Sequence, residues 1–246
     1  MPPQIPSMKL IYHPLSPYCR KSYMLAHELS LTTHITLQKV VVCPLLNYPG
    51  WSDNNADLVS AGNPLAKIPT LVITDPEAGD VAIFDSRAIC ETLKDIAGST
   101  SAHGAGNEGY LDRARERTLA SVADGIIDAQ ISITYENTLR AKKNISMPEW
   151  IEGQIAKVHR GFDVLESDFA GTKFLSQSGG MGEAAVAVVI DCTEARSKGW
   201  DWKAGRPKLA KWWEAWRERE SYKQTEPDID WKTGEKVDLG PLPTDP

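Results

Sequence analysis

Ser16-Pro17-Tyr18-Cys19 places a hydroxyl and a thiol where a short apolar run, Met8 to Tyr12, passes through His13-Pro14 into a helix-like stretch. At such a junction the first backbone N–H groups of the helix lack partners and the dipole presents its positive end, so an anion is stabilised there. The anion suited to this site is a thiolate, either the chain's own at Cys19 or that of a bound thiol held by Ser16. Asn63-Pro64-Leu65-Ala66-Lys67-Ile68-Pro69-Thr70-Leu71 is a second candidate stretch. A cis bond before Pro69 turns the chain so that the Ile68 N–H and C=O face a ligand. The commoner trans bond simply starts the apolar strand that follows, and both readings stand. A third stretch, Phe84-Asp85-Ser86-Arg87-Ala88-Ile89, ends a strand and opens a helix. Ser86 and the free N–H groups there suit a carboxylate, and Asp85 suits an ammonium group; plain N-capping explains the same two residues. Together the three stretches suggest a cleft for a ligand with a thiol at one end and an amino-acid head at the other.

The elements that must position these residues alternate along the first hundred positions. Strands are expected at Lys9–Tyr12, His34–Val42, Thr70–Thr74 and Val81–Phe84, and helices at Tyr18–Leu31 and Ser86–Ile96. Asp75-Pro76-Glu77-Ala78-Gly79-Asp80 is a turn by composition, and Pro44 to Pro64 reads as a loop. The order, strand–helix–strand then strand–strand–helix, favours a small mixed sheet with helices packed on it. Gly98 to Gly109 is small and polar and makes a linker. Beyond it the apolar period becomes helical. Val122, Ile126, Ala129 and Ile133 form one stripe, extended by Leu111 and Thr118; Ile151, Ile155, Val158, Phe162, Leu165 and Phe169 form another. Gly179–Ala195 is a third helix, apolar enough over Ala184–Ile190 to be buried all round, and Pro207–Glu220, with Trp212, Trp213 and Trp216, is a fourth. From Pro227 onward the chain reads as a surface-draped or disordered tail.

The totals limit the function classes. The chain has 246 residues and a net charge of −6 from 27 basic and 33 acidic residues, with no block of like charge in the folded part, which argues against nucleic-acid and anionic-membrane partners. No apolar run approaches the roughly 20 residues of a spanning helix, and Met1–Ser7 has neither the basic region nor the apolar core of a secretory signal. The four cysteines, at 19, 43, 90 and 192, are scattered without metal-type spacing, and the five histidines show no ligand-like pairing. Reduced thiols in a cytoplasmic protein, and no metal, are the expectation.

In their order and spacing, Ser16-Pro17-Tyr18-Cys19-Arg20-Lys21, Asn63 to Pro69 and Asp85-Ser86-Arg87-Ala88-Ile89, ahead of a helical half, resemble the three glutathione-site motifs of cytosolic glutathione S-transferases. The resemblance runs from about Met8 to Pro227 and includes Arg219-Glu220-Ser221-Tyr222 to Glu226-Pro227. It implies an α/β thioredoxin-like domain with a mixed four-stranded sheet (residues 8–97), a linker (98–108), an all-α helical-bundle domain (109–228) and a tail (229–246), usually in a homodimer. It further implies that Ser16 hydrogen-bonds the glutathione sulfur and favours its thiolate. Ile68, before Pro69, would pair with the cysteinyl backbone of the tripeptide. Asp85 and Ser86 would hold the γ-glutamyl head, and Lys67 would approach the glycine carboxylate. A small hydrophobic electrophile would lie against apolar side chains of the helical half, with Tyr110 to Tyr135 and the C-terminal tryptophans as candidates.

Cys19 opens an alternative, because Ser16-Pro17-Tyr18-Cys19 also resembles the glutaredoxin Cys-Pro-Tyr-Cys motif with its first cysteine replaced. A thiol-disulfide oxidoreductase acting through Cys19 is therefore a second reading, with Cys19 as a small core hydrophobe its counterpart. A non-catalytic glutathione-binding protein is a third, since one fold hosts many functions. Two departures from the family pattern stand out. Gly180-Met181-Gly182-Glu183 offers an incomplete capping box at the start of the third helix, and the loop from Leu45 to Ser60, with Trp51, is longer than such chains need.

Overall fold

The computed structural model describes residues 5–42, 44, 55–100, 109–196 and 199–227. Cys43, Trp51 with most of its loop, positions 101–108 of the expected linker, and the tail from 228 lie outside the described residues. Two compact units divide the chain, one before and one after the start of the helical half, with 224–227 grouped with the first.

In the first unit, aliphatic residues at alternating positions make β1 (Ser7–Tyr12), β2 (Ile35–Lys39), β3 (Thr70–Asp75) and β4 (Gly79–Phe84). They form one sheet in the order β2-β1-β3-β4. β1 and β2 are parallel, while β1–β3 and β3–β4 are antiparallel. This is the mixed four-stranded sheet expected. Helices α1 (Pro17–Glu28) and α3 (Ser86–Thr100) cover one face, where Met8, Leu10, Leu71, Ala26, Ile89 and Leu93 pack together. Ile11 and Val72 point to the other face and meet Leu58 of α2 (Asn55–Ser60). α2 lies inside the stretch expected to be loop throughout. It is under two turns long, half its residues are polar, and Leu58 is the one buried among its described side chains, so no periodic signal marked it. α3 also runs four residues beyond the Ile96 end expected from sequence.

The second unit holds α4 (Tyr110–Tyr135), α5 (Pro148–Val164), α6 (Met181–Arg196), α7 (Pro207–Trp216) and α8 (Glu220–Gln224). The fourth helix, expected over Pro207–Glu220, ends at Trp216, and the separate short α8 begins at Glu220. The α5 stripe is buried at Ile155, Val158, Phe162, Leu165 and Phe169, the last two on a widened π turn that prolongs the helix. On α4 the expected stripe is buried at Ile126, Ala129 and Ile133, joined by Leu119, Ala120, Ala123, Ile127 and Gln130; Leu111 and Thr118 are exposed and do not extend it. α6 is buried on every side from Met181 to Thr193. Its approach to α4 needs Gly182, where a Cβ would stand 2.7 Å from Leu119 Cδ2.

Glu183 completes the start of α6 in an unexpected way. Its carboxylate accepts from the N–H groups of Gln177 (2.6 Å), Gly179 (2.7 Å) and Gly180 (3.2 Å), and from the Ser178 hydroxyl at 2.9 Å. The Glu183 half of a capping box is thus present through Gly180 N–H, while Ser178 donates to the carboxylate instead of accepting from the helix. One buried carboxylate gathers the donors of the turn that leads into α6.

Candidate functional site

The strand register brings the three sequence motifs to one edge of the sheet. Ile11 near the end of β1 pairs with Thr70 at the start of β3, and Thr70 pairs with Phe84 at the end of β4. Residues just beyond these positions, Ser16, Ile68-Pro69 and Asp85-Ser86, therefore leave the sheet at the same edge from adjacent strands. Two strand spacings separate β1 from β4, about 10 Å. The N-termini of α1 and α3 both open at this edge, so free N–H groups and two positive dipole ends meet there.

Ser16 is the N-cap of α1, with φ −80° and ψ 118°, and Pro17 occupies the first helical position. Its Oγ accepts from Cys19 N–H at 3.4 Å, a long cap bond. Its own N–H donates to His13 C=O and its C=O accepts from Arg20 N–H, each at 3.0 Å, so the backbone is anchored on both sides. The Ser16 side chain also hydrogen-bonds the Cys19 thiol. Cys19, one turn on, is fully buried. Burial pushes its thiol from 9.0 up to about 12, with hydrogen bonds to the Ser16 side chain and the His13 backbone opposing the rise. Near neutral pH Cys19 is a protonated, enclosed thiol.

The bond between Ile68 and Pro69 is cis. Ile68 is half-buried, and neither its N–H nor its C=O has a partner among the described residues. Sequence reading missed the residue that holds this loop. Asn63 is fully buried; its Nδ2 donates to Lys67 C=O and to Thr70 Oγ1, each at 2.8 Å, and its Oδ1 accepts from Leu65 N–H at 3.0 Å. The Thr70 hydroxyl donates to the same Lys67 C=O at 3.0 Å. The signal was present in Asn63-Pro64, since asparagine side chains commonly bond the backbone two residues on. Ala66 within the loop has a left-handed φ of 50°. The Lys67 side chain is exposed at this rim.

Asp85 caps α3 with a left-handed φ of 74°, its Oδ1 accepting from Arg87 N–H at 2.8 Å. This bond is the plain helix cap expected of Asp85, and the residue is exposed. Ser86 is buried, and its hydroxyl has no partner among the described residues. A buried hydroxyl beside free helix N–H groups suits a carboxylate. Of the aromatic candidates, Tyr110 is exposed, whereas Trp212, Trp213 and Trp216 are buried. Trp213 donates to Glu194, and Trp212 stacks on Trp216. No cluster of metal-binding side chains occurs among the described residues.

Residues 15–96 match the family model for the glutathione S-transferase N-terminal domain, and residues 148–215 match that for the C-terminal domain. A glutathione transferase family member from Pseudomonas fluorescens Pf-5, crystallised with bound glutathione, is 30% identical, with 91% of this chain and 100% of that chain covered and a TM-score of 0.74. The same description with S-(propanoic acid)-glutathione bound is 29% identical, with 91% and 100% covered and a TM-score of 0.73. A glutathione S-transferase from Methylobacillus flagellatus KT with glutathione bound is 30% identical, with 90% and 100% covered and a TM-score of 0.68. Comparison with curated proteins gives no match. The chain belongs to the cytosolic glutathione S-transferase superfamily.

Proposed function

We propose that the protein activates the thiol of glutathione for attack on a small hydrophobic electrophile, with Ser16 as the catalytic residue. The observation that carries this reading is Ser16 itself, a helix-capping hydroxyl at the sheet edge shared with Ile68 and Asp85-Ser86. Glutathione spans that edge in our reading. Its cysteinyl N–H and C=O pair with the free backbone groups of Ile68. Its γ-glutamyl carboxylate lies at Ser86 and the first N–H groups of α3, its ammonium at Asp85, and its glycine carboxylate near Lys67.

The Ser16 O–H donates to the sulfur while Oγ accepts from Cys19 N–H, so each bond polarises the other. A donor aimed at the sulfur stabilises the anion over the thiol, the thiol proton leaves to water, and more nucleophile is present near neutral pH. The thiolate then forms a C–S bond to the electrophile, which expels its leaving group or takes up a proton. The relative crystallised with S-(propanoic acid)-glutathione supports a site roomy enough for an S-substituent. The oxidoreductase alternative has the burial and high thiol pKa of Cys19 against it. We place the protein in the cytoplasm as a homodimer, in keeping with the family, with domains divided at 98–108 and a tail from 229.

Replacing Ser16 by Ala tests the assignment. Turnover of a chloronitrobenzene substrate is expected to fall on the order of 10²-fold, the usual loss when a donor to developing or standing negative charge is removed. The bound glutathione thiol pKa, read from thiolate absorbance, rises in parallel. A Ser16→Ala enzyme with normal turnover removes Ser16 from the mechanism.

A further inference from the structure

The turn that delivers Ser16 to the start of α1 is closed twice by His13. Its C=O accepts from Ser16 N–H at 3.0 Å, and its Nδ1 accepts from Leu15 N–H at 3.2 Å. The first bond is the i to i+3 closure of a turn with Pro14 at the second position, where the ring presets φ. The second is the bond that an Asn or Asp at the head of a turn makes through Oδ1 to the N–H two residues on. Imidazole Nδ1 stands the same number of bonds from the backbone as Oδ1 and substitutes for it. A nitrogen that accepts in this way carries no proton.

The geometry points to His13 as a positioning residue for the reaction. Its ring, through Leu15 N–H, holds the turn so that the Ser16 hydroxyl stands where the glutathione sulfur lies. The inference rests on the reading of Ser16 given above. Ser16 is tied to the helix by Arg20 N–H on one side and to His13 on the other. With the His13 ring bond lost, the turn is fixed on the helix side and loosened on the strand side, and the hydroxyl moves relative to the Ile68 and Asp85 subsites. Misplacement of about 1 Å is enough to cost as much as 10²-fold in rate when a group must meet a reacting atom.

Two variants separate positioning from mere presence of a polar ring. His13→Asn keeps an acceptor at the Nδ1 place, whereas His13→Gln sets its amide one atom further out and loses it. In His13→Asn, kcat, the glutathione KM and the bound thiol pKa stay within about twofold of the unaltered enzyme or its equivalent. In His13→Gln, kcat falls between about fivefold and 10²-fold and the bound thiol pKa rises. Its glutathione KM changes by less than about twofold, because the tripeptide is held elsewhere. A His13→Gln enzyme with unaltered kcat and thiol pKa, or a His13→Asn enzyme as impaired as His13→Gln, overturns the inference. If turnover needs Ser16 but ignores His13, only this inference fails; if it ignores Ser16 as well, the underlying reading fails.

Discussion

A serine hydroxyl at a helix N-terminus has one proton to donate and two lone pairs with which to accept; Ser16 accepts from Cys19 N–H and its side chain also bonds the Cys19 thiol. Cys19, three residues on, shows the opposite outcome of the same helix start. The dipole that favours a thiolate is outweighed by loss of solvent, and the thiol is pushed up to about 12. This has a consequence for stability. The folded-state value lies above the unfolded 9.0, so the contribution of this group is intact below pH 9 and is lost as pH rises from 9 toward 12. Between pH 9 and 11, the melting temperature of Cys19→Ala is expected to fall less steeply than that of the parent, and at pH 7.5 mass spectrometry should find Cys19 unalkylated in the native protein. Equal alkaline slopes, or rapid native alkylation of Cys19, would contradict its burial.

Helices of the second unit meet through glycine at chosen points, and there two effects of alanine compete. In a helix interior Ala is worth up to about 1 kcal/mol more than Gly. At Gly182 the new methyl would lie 2.7 Å from Leu119 Cδ2 and 3.0 Å from its Cγ, an overlap of the kind that costs about 1–3 kcal/mol. Gly161 faces Ile126 at 2.5 Å in the same way. At Gly125, inside exposed α4, nothing lies within 4 Å. Gly125→Ala should therefore raise the melting temperature by about 2–4 °C, and Gly182→Ala should lower it by a similar amount or more. Calorimetry on the two variants decides the matter; the same sign for both would mean that propensity, not close approach, governs these positions. The start of α6 belongs to the same scale. The Glu183 carboxylate makes one half of a capping box with Gly180 N–H and gathers Ser178 and Gly179 besides, an arrangement visible only once the turn through Gly179 has brought these groups together.

At the scale of the whole molecule, two units divide the labour: the first carries every residue assigned here to glutathione, and the second is a helical assembly around the fully buried α6. No described helix is long and apolar enough to cross a membrane. The homodimer proposed for a 27.1 kDa chain is checked by light scattering, which should give twice that mass; a monomer that retains full turnover would show that pairing is not needed for activity. The strand and helix order, the α5 and α6 faces and the Ile126, Ala129 and Ile133 stripe of α4 were legible from sequence, because each depends on local spacing of apolar residues. The short α2, the failure of Leu111 and Thr118 to extend the α4 stripe and the loop bonds of Asn63 and His13 were not. A six-residue helix carries no period, Leu111 and Thr118 are silent about how far a neighbour reaches, and an Asn or His that bonds its own loop looks like any polar loop residue. By itself, then, the order of residues determined which groups open each helix and end each strand. Only the strand register decided that these groups share one edge, only the packing around α1 enclosed Cys19, and only the turn geometry tied His13 to Ser16, because each depends on atoms brought together across the chain.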